Sequence, residues 1–543
     1  MALGTRTAAL ACGLGLGIAG AGAGAAGAEA APHPPTGPGA PSITWKACPQ
    51  YSDDVLTYLR IRPTDFAKFR ALWSRTECGT VSVPLDYRDP DGPHIDIALT
   101  RLKAQDQAHR RGVLFMNPGG PGGSGYLMPA TLSLESPTDA QLNEDYDLIG
   151  VDPRGIGYST SFDCPAPEPG APVPPGPLTR AEAEQLYDRQ AAANTACSSA
   201  DPAFLKQLTT PNAARDLDTI RRALHESRAG YFGASWGTQL GAVYRSMFPS
   251  TIDRMWLDSV VSPDASNLAY RFTAYGAATE ADFDQFAIWL AAHDGTYGLG
   301  TTPQEVTARV EALHRQADAH PWKFTDIPAP LDGTFISFLA SAENLNWVQA
   351  ATILQALTTA TSGGPAPASV TPVVGVPGPL PTPPAGAPEQ FNTTANQAYL
   401  CNEDTSPRGF EPLWAEYQRG LRENPVTGED TGLRPTCAGW KLPAQPVHLR
   451  WSPGSLEMSG HEHETSTPYP WVRQMQDAIG GEVFTVKDYV HGSAPFAPEC
   501  ASHILDYFDT GKADSGSCDG IQPGASPGIQ PFVWMPGNRM ITA

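Results

Sequence analysis

Five residues, Gly233-Ala-Ser-Trp-Gly237, carry the clearest chemical signal in the chain. A serine with glycine at both second neighbours fits a sharp turn from strand to helix. There a strained backbone holds the hydroxyl in the open, and small residues permit the close approach on either side. The chemistry would be attack by Ser235 on an acyl carbon. A serine hydroxyl is a poor nucleophile at neutral pH. It needs an imidazole to take its proton, an acid to orient that imidazole, and N–H donors for the oxyanion.

Among twelve histidines, His491 follows the apolar run ending at Val490 and precedes Gly492-Ser493, which puts it on a loop at a strand end. His503 is the runner-up, inside an expected last helix. The candidate acids are Glu464 and Glu462, in the segment Leu456 to Trp471, which preserves the chain order serine, acid, histidine. For the oxyanion, the run Asn117-Pro-Gly-Gly-Pro-Gly-Gly-Ser-Gly125 directly follows an apolar strand. It offers the N–H of Gly120, with Gly119 beside it, and the second donor would be Trp236, next after the nucleophile. The run lacks the Gly-Lys-Ser/Thr ending of a phosphate loop. His461 and His463 would share one face of an extended segment and invite a metal reading. No third ligand accompanies them, so neither a metal nor an organic cofactor is expected.

These residues require a scaffold of strands alternating with helices. Apolar runs at 94–101, 112–116, 146–151, 229–232 and 254–258 read as strands, and the pattern resumes at 456–459 and 482–486. The fold class expected is an α/β-hydrolase with a mainly parallel sheet. Residues 263–442 behave differently, with helical patterns at 274–293, 302–320 and much of 334–359. They read as a mostly helical cap inserted before the last strands, with a Pro- and Gly-rich loop at 363–388. The core would then comprise 31–262 and 443–543, the last part carrying acid and histidine. A final helix is expected at about 498–509.

Residues 1–30 read as a signal peptide, with Arg6, a Gly- and Ala-rich apolar stretch and Ala28-Glu-Ala30 as the cleavage signal, so a secreted, extracellular protein is expected. Beyond Cys12 of that leader, eight cysteines remain: Cys48, Cys78, Cys164, Cys197, Cys401, Cys437, Cys500 and Cys518. An even number in an exported chain favours disulfides. Pairing of sequence neighbours is the simplest of the 105 connectivities that eight cysteines allow. The net charge of −21, from 57 acidic and 36 basic residues, argues against a nucleic-acid partner. No later segment is apolar and long enough for stable membrane insertion. Oligomeric state is not legible.

Taken together, several segments resemble the secreted actinobacterial tripeptidyl-aminopeptidase and prolyl-iminopeptidase-like α/β-hydrolases. They are Glu77-Cys-Gly-Thr-Val-Ser-Val-Pro-Leu-Asp-Tyr87, 117–125, Asp152-Pro-Arg-Gly-Ile-Gly-Tyr-Ser159, Gly233 to Thr238, Thr467-Pro468 and His491-Gly492. The resemblance implies an acid three residues before the Thr-Pro threonine. That position is Glu464, where the family usually carries aspartate. It implies that Arg154 supports the active-site loops. It also implies acidic cap residues that receive a substrate ammonium, with Glu403 first, Asp404 second and Glu343 third. The expected function is a serine exopeptidase releasing short peptides, most often tripeptides, from peptide substrates with a free N-terminus. The rivals are an extracellular carboxylesterase using the same triad and a non-catalytic binding protein on a hydrolase scaffold.

Overall fold

The computed structural model describes residues 41–165, 176–327, 329–374 and 382–522. The expected leader lies outside them, as do residues 375–381 of the Pro- and Gly-rich stretch. Ten strands form one sheet: β1 (Ile43–Lys46), β2 (Thr76–Pro84), β3 (His94–Leu102), β4 (Gly112–Asn117), β5 (Tyr146–Val151), β6 (Ala229–Ala234), β7 (Ile252–Asp258), β8 (Ser455–His461), β9 (Glu482–Val486) and β10 (Ser517–Cys518). Their order is β1-β2-β3-β5-β4-β6-β7-β8-β9-β10. The first three strands pair antiparallel as far as β5, and every pairing from β5 to β10 is parallel.

The parallel part is covered on both faces, which is why its strands read as unbroken apolar runs. In β4 the side chains alternate. Val113 and Phe115 join Ile149 in the core of one face, while Leu114 and Met116 join Leu148 and Phe484 in the core of the other. This sandwich fixes the carboxyl ends of β4, β6, β7 and β8 along one edge, where open α/β sheets gather their reactive groups.

Between the adjacent strands β7 and β8 lie nearly 200 residues without a sheet strand. They include helices Leu268–Ala292, Pro303–Ala319, Gly333–Ala340, Trp347–Leu357, Thr393–Glu403 and Phe410–Glu423. The earlier of these pack around their own apolar cluster, with Phe286, Leu290, Leu313, Phe335 and Leu354 at its centre. Helix Thr393–Glu403 instead sends Ala395, Ala398 and Tyr399 into the core of the sheet. The helical pattern at 334–359 is broken by a short 3₁₀ turn, Asn344–Asn346, where asparagine side chains compete with the helical backbone.

Four disulfides join the cysteines in sequence order: Cys48–Cys78, Cys164–Cys197, Cys401–Cys437 and Cys500–Cys518. Among the described residues no helix is long and apolar enough to cross a membrane.

Candidate active site

The chain leaves β6 at Ala234 and begins the next helix at Trp236, so Ser235 alone makes the turn, with φ 57° and ψ −129°. A non-glycine residue at such a positive φ costs about 1–3 kcal/mol and persists only where its surroundings hold it. Here the Ser235 N–H donates to the Asp258 carbonyl (3.0 Å). The Ser235 carbonyl accepts from the N–H (2.8 Å) and hydroxyl (2.7 Å) of Thr238. Both flanking glycines are required by space. A Cβ on Gly233 would stand 2.6 Å from the Gly237 carbonyl oxygen, and one on Gly237 would stand 2.6 Å from that of Asn117.

The glycine-rich loop after β4 lies against this turn. Gly119 has φ +100°, and a side chain there would meet the Ala234 carbonyl at 2.6 Å and Ser235 Cβ at 2.8 Å. Its N–H donates to Asn117 Oδ1 (3.0 Å). The N–H of Gly120 has no protein acceptor among the described residues, and Trp236, first in its helix, has an N–H ahead of the i→i−4 ladder. The far side of the loop is latched to the segment before helix Thr393–Glu403. Ser124 N–H donates to the Gln390 carbonyl (3.0 Å), and Asn392 N–H donates to that of Gly122 (2.9 Å).

His491 and Glu464 meet through Nδ1 and Oε1. Glu464 is fully enclosed, while a third of the His491 side chain stays accessible. The same Oε1 accepts from the N–H (3.0 Å) and hydroxyl (2.6 Å) of Thr467, and Oε2 accepts from the Ser259 hydroxyl (2.8 Å). Ser259 Oγ in turn accepts the Gly492 N–H (2.7 Å), tying the loop of the acid to that of the histidine. Burial opposes ionisation of Glu464. The charge and hydrogen bond of His491 outweigh it, and the carboxyl is held down at about 2. Burial likewise disfavours the His491 imidazolium, yet Glu464 raises His491 above its ordinary 6.5.

A second, wholly buried histidine lies beneath this pair. His461 Nδ1 contacts Asp488 Oδ1 (2.6 Å) and its Nε2 contacts Asp258 Oδ1 (3.0 Å). Burial works against its charge, but the two aspartates raise it well above 6.5. His461 thus binds the ends of β7 and β8 to the loop after β9. His463 stacks on the Tyr489 ring at 4.5 Å.

The other candidates from the sequence fall elsewhere. Glu462 is exposed. His503 contacts Glu457 (2.5 Å) and stacks on Phe484 at 3.9 Å, on the opposite core. Arg154 is buried and pairs through two nitrogens with Asp216, each at 2.7 Å. Glu403 accepts from Thr210 and from Gln239 Nε2 (2.9 Å). Asp404 accepts from the Leu268 N–H (3.2 Å) and Ser406 and pairs with Arg408 at 3.4 Å. Both carboxylates are buried and consumed inside the scaffold, and neither borders the cavity at Ser235. Glu343 differs. Burial, then the charge of Glu464, pushes it up to about 7, while His491 acts the other way.

The cavity, about 490 Å³, brings together Gly119, Gly120, Ser235, Thr467 and His491. Its wall also carries Arg271, Phe272 and Tyr275 of helix Leu268–Ala292, and Arg434 of the loop after Gly428–Thr431. Sequence reasoning missed Ser259, the inward role of His461, and both arginines. One signal for Arg271 was present: it is the only charged residue in the first three turns of helix Leu268–Ala292.

This geometry agrees with the relatives. Residues 112–354 match the profile of the alpha/beta hydrolase fold, and residues 424–519 match that of the TAP-like protein family. A tripeptidyl aminopeptidase of Streptomyces lividans is 31% identical over 463 residues, covering 81% of this chain and 82% of that protein. The serine protease Hip1 of Mycobacterium tuberculosis is 33% identical over 252 residues, 44% of this chain and 46% of that protein. A carboxylesterase B of the same species is 27% identical over 495 residues, 87% of this chain and 89% of that one. The chain therefore belongs to the tripeptidyl-aminopeptidase-like family of α/β-hydrolases and is an enzyme of the serine-hydrolase class.

Proposed function

We propose that this enzyme is an exported serine exopeptidase that removes short peptides, most often tripeptides, from free amino termini. The observation that carries the reading is the strained, half-buried turn at Ser235, sharing one cavity with a histidine anchored on a buried glutamate. In acylation His491 takes the Ser235 proton as the hydroxyl attacks the scissile carbonyl. Glu464 orients the imidazole and stabilises its charge. The N–H groups of Gly120 and Trp236 receive the oxyanion. His491 then protonates the leaving amine, and water, activated by the same imidazole, releases the acyl group.

Exopeptidase character needs a group for the substrate ammonium. Of the three acids considered, Glu343 is favoured. It is close enough to Glu464 and His491 to feel both charges, whereas Glu403 and Asp404 are already saturated with donors. Export is favoured by the leader-like N-terminus and the four disulfides. A carboxylesterase is the second reading, favoured by the long match to carboxylesterase B.

Hydrolysis of a tripeptidyl chromogenic amide, its N-acetylated form and a short acyl ester tests the proposal. Strong preference for the free amine is the expected result. Ester cleavage without amide cleavage would replace the peptidase with the esterase.

A further inference from the structure

The wall of the catalytic cavity carries two arginines, Arg271 and Arg434, and Asp430 lies close enough to Arg434 to feel its charge. Arg434 is held in place: its Nε donates to the Thr431 carbonyl (2.7 Å), and its guanidinium lies over the rings of Phe272 (5.1 Å) and Tyr275 (5.4 Å). Arg271, one turn before Tyr275 on the same helix, is the unusual member. Among the described residues no side chain or carbonyl accepts a hydrogen bond from its guanidinium, and no acid forms an ion pair with it. Burial, with the charge of Arg434 added, draws Arg271 down to about 10, so it remains a cation at neutral pH.

Arg271 is half-buried, and a partly desolvated guanidinium beside a second one is disfavoured until an anion arrives. The buried cations Arg154 and His461 have their counter-charges, in Asp216 and in Asp258 with Asp488, whereas Arg271 has none among the described residues. The unmet demand at Arg271 therefore faces the cavity in which substrate must lie. Its planar fork matches a carboxylate.

We propose that Arg271, with Arg434 behind it, forms a carboxylate-binding subsite of the catalytic cavity, so that the enzyme selects peptides presenting an anionic group to this wall. The substrate class rests on the peptidase reading; the subsite rests on the two arginines and the cavity. The carboxylate has two possible sources, an acidic side chain in the released fragment or the free C-terminus of a short leaving peptide.

Two arms separate the sources. In the first, tripeptidyl chromogenic amides differ only by Glu against Gln at each position in turn. In the second, short peptides end in a free carboxylate or in a carboxamide. In one arm the acid is expected to exceed its neutral partner in kcat/KM by roughly tenfold or more, the scale of a charge-assisted hydrogen bond. In Arg271→Gln that ratio should fall toward one, and in Arg271→Glu it should invert. Arg271→Lys, which keeps the charge without the fork, should retain part of it. A wild-type ratio near one in both arms overturns the subsite without any variant. So does a ratio that survives both Arg271→Gln and Arg271→Glu. If peptides are not turned over at all, the same acid and amide pairs are compared as competitive inhibitors of ester hydrolysis. That readout tests the subsite even where the peptidase reading has failed.

Discussion

At the scale of single residues, the hydrogen bonds around Glu464 hold it in one orientation. Both of its oxygens are occupied: Thr467 and His491 take one, Ser259 takes the other. Glu464→Gln keeps the shape and removes the charge, so kcat should fall by roughly 10⁴-fold, as expected when the orienting acid is neutralised. Its pH profile supplies a second check. His491 acts when neutral, so the rate rises with pH through a pKa that Glu464 holds above 6.5. Without that charge, burial dominates and the acid limb should move to lower pH. A limb that stays in place would assign the orienting role to another acid. Glu343→Gln should raise KM for free-amine substrates while leaving N-acetylated ones little affected; equal effects on both would remove Glu343 from ammonium binding. The candidate nucleophile, base and oxyanion loop were legible in sequence because each follows a strand and has glycine beside it. The electrostatic support was not. Ser259, His461 and Arg271 carry no motif and acquire meaning only when β7, β8 and the helical segment converge.

At the scale of elements, the turn at Ser235 depends on three strands and one loop meeting without side chains between them. Gly237 packs against the Asn117 backbone and accepts through its carbonyl from the Tyr231 hydroxyl (2.7 Å). Gly237→Ala should therefore destabilise the fold by about 1–3 kcal/mol, the usual cost of overpacking, and displace the oxyanion loop. Thermal unfolding alongside kcat checks it, and an unchanged transition with full activity would refute the packing argument. The central parallel strands were read close to their observed limits, since burial on both faces leaves a continuous apolar signature, whereas β1, β2 and the two-residue β10 escaped. Helices Arg180–Ala200, Thr210–Ala223, Thr393–Glu403, Phe410–Glu423 and Pro470–Ile479 escaped the reading; of these, Arg180–Ala200 and Phe410–Glu423 are lightly buried. The first buries only a few residues, Ala183 and Leu186 among them, and the second buries Tyr417 alone. Light burial is not the common cause, since Thr210–Ala223, which buries most of its residues, escaped as well.

At the scale of the whole molecule, acidity is distributed in depth as well as over the surface. Burial pushes Asp139 and Asp282 up to about 8, Glu343 and Glu403 to about 7 and Asp152 to about 6. A carboxyl whose folded pKa lies above its unfolded value binds more protons when folded. Its contribution is complete below about 4 and is lost as pH climbs through the folded value. The raised histidines, His461 and His491, act in the same direction above 6.5. Glu464 opposes them: its contribution is present above its ordinary 4.5 and is lost as pH falls toward 2. The net charge of −21 adds repulsion as pH rises. The melting temperature should thus be higher at pH 5 than at pH 8, and calorimetry giving the reverse order would contradict this account. The cysteine pairs bear on how such a molecule is made. Their separations are 30, 33, 36 and 18 residues, and each ring closes before the next opens. From Cys48 onward, every second cysteine to emerge during synthesis finds its correct partner as the nearest one already waiting. Oxidation can therefore follow the order of emergence, stapling each region locally while the two halves of the sheet remain free to close around the helices between them.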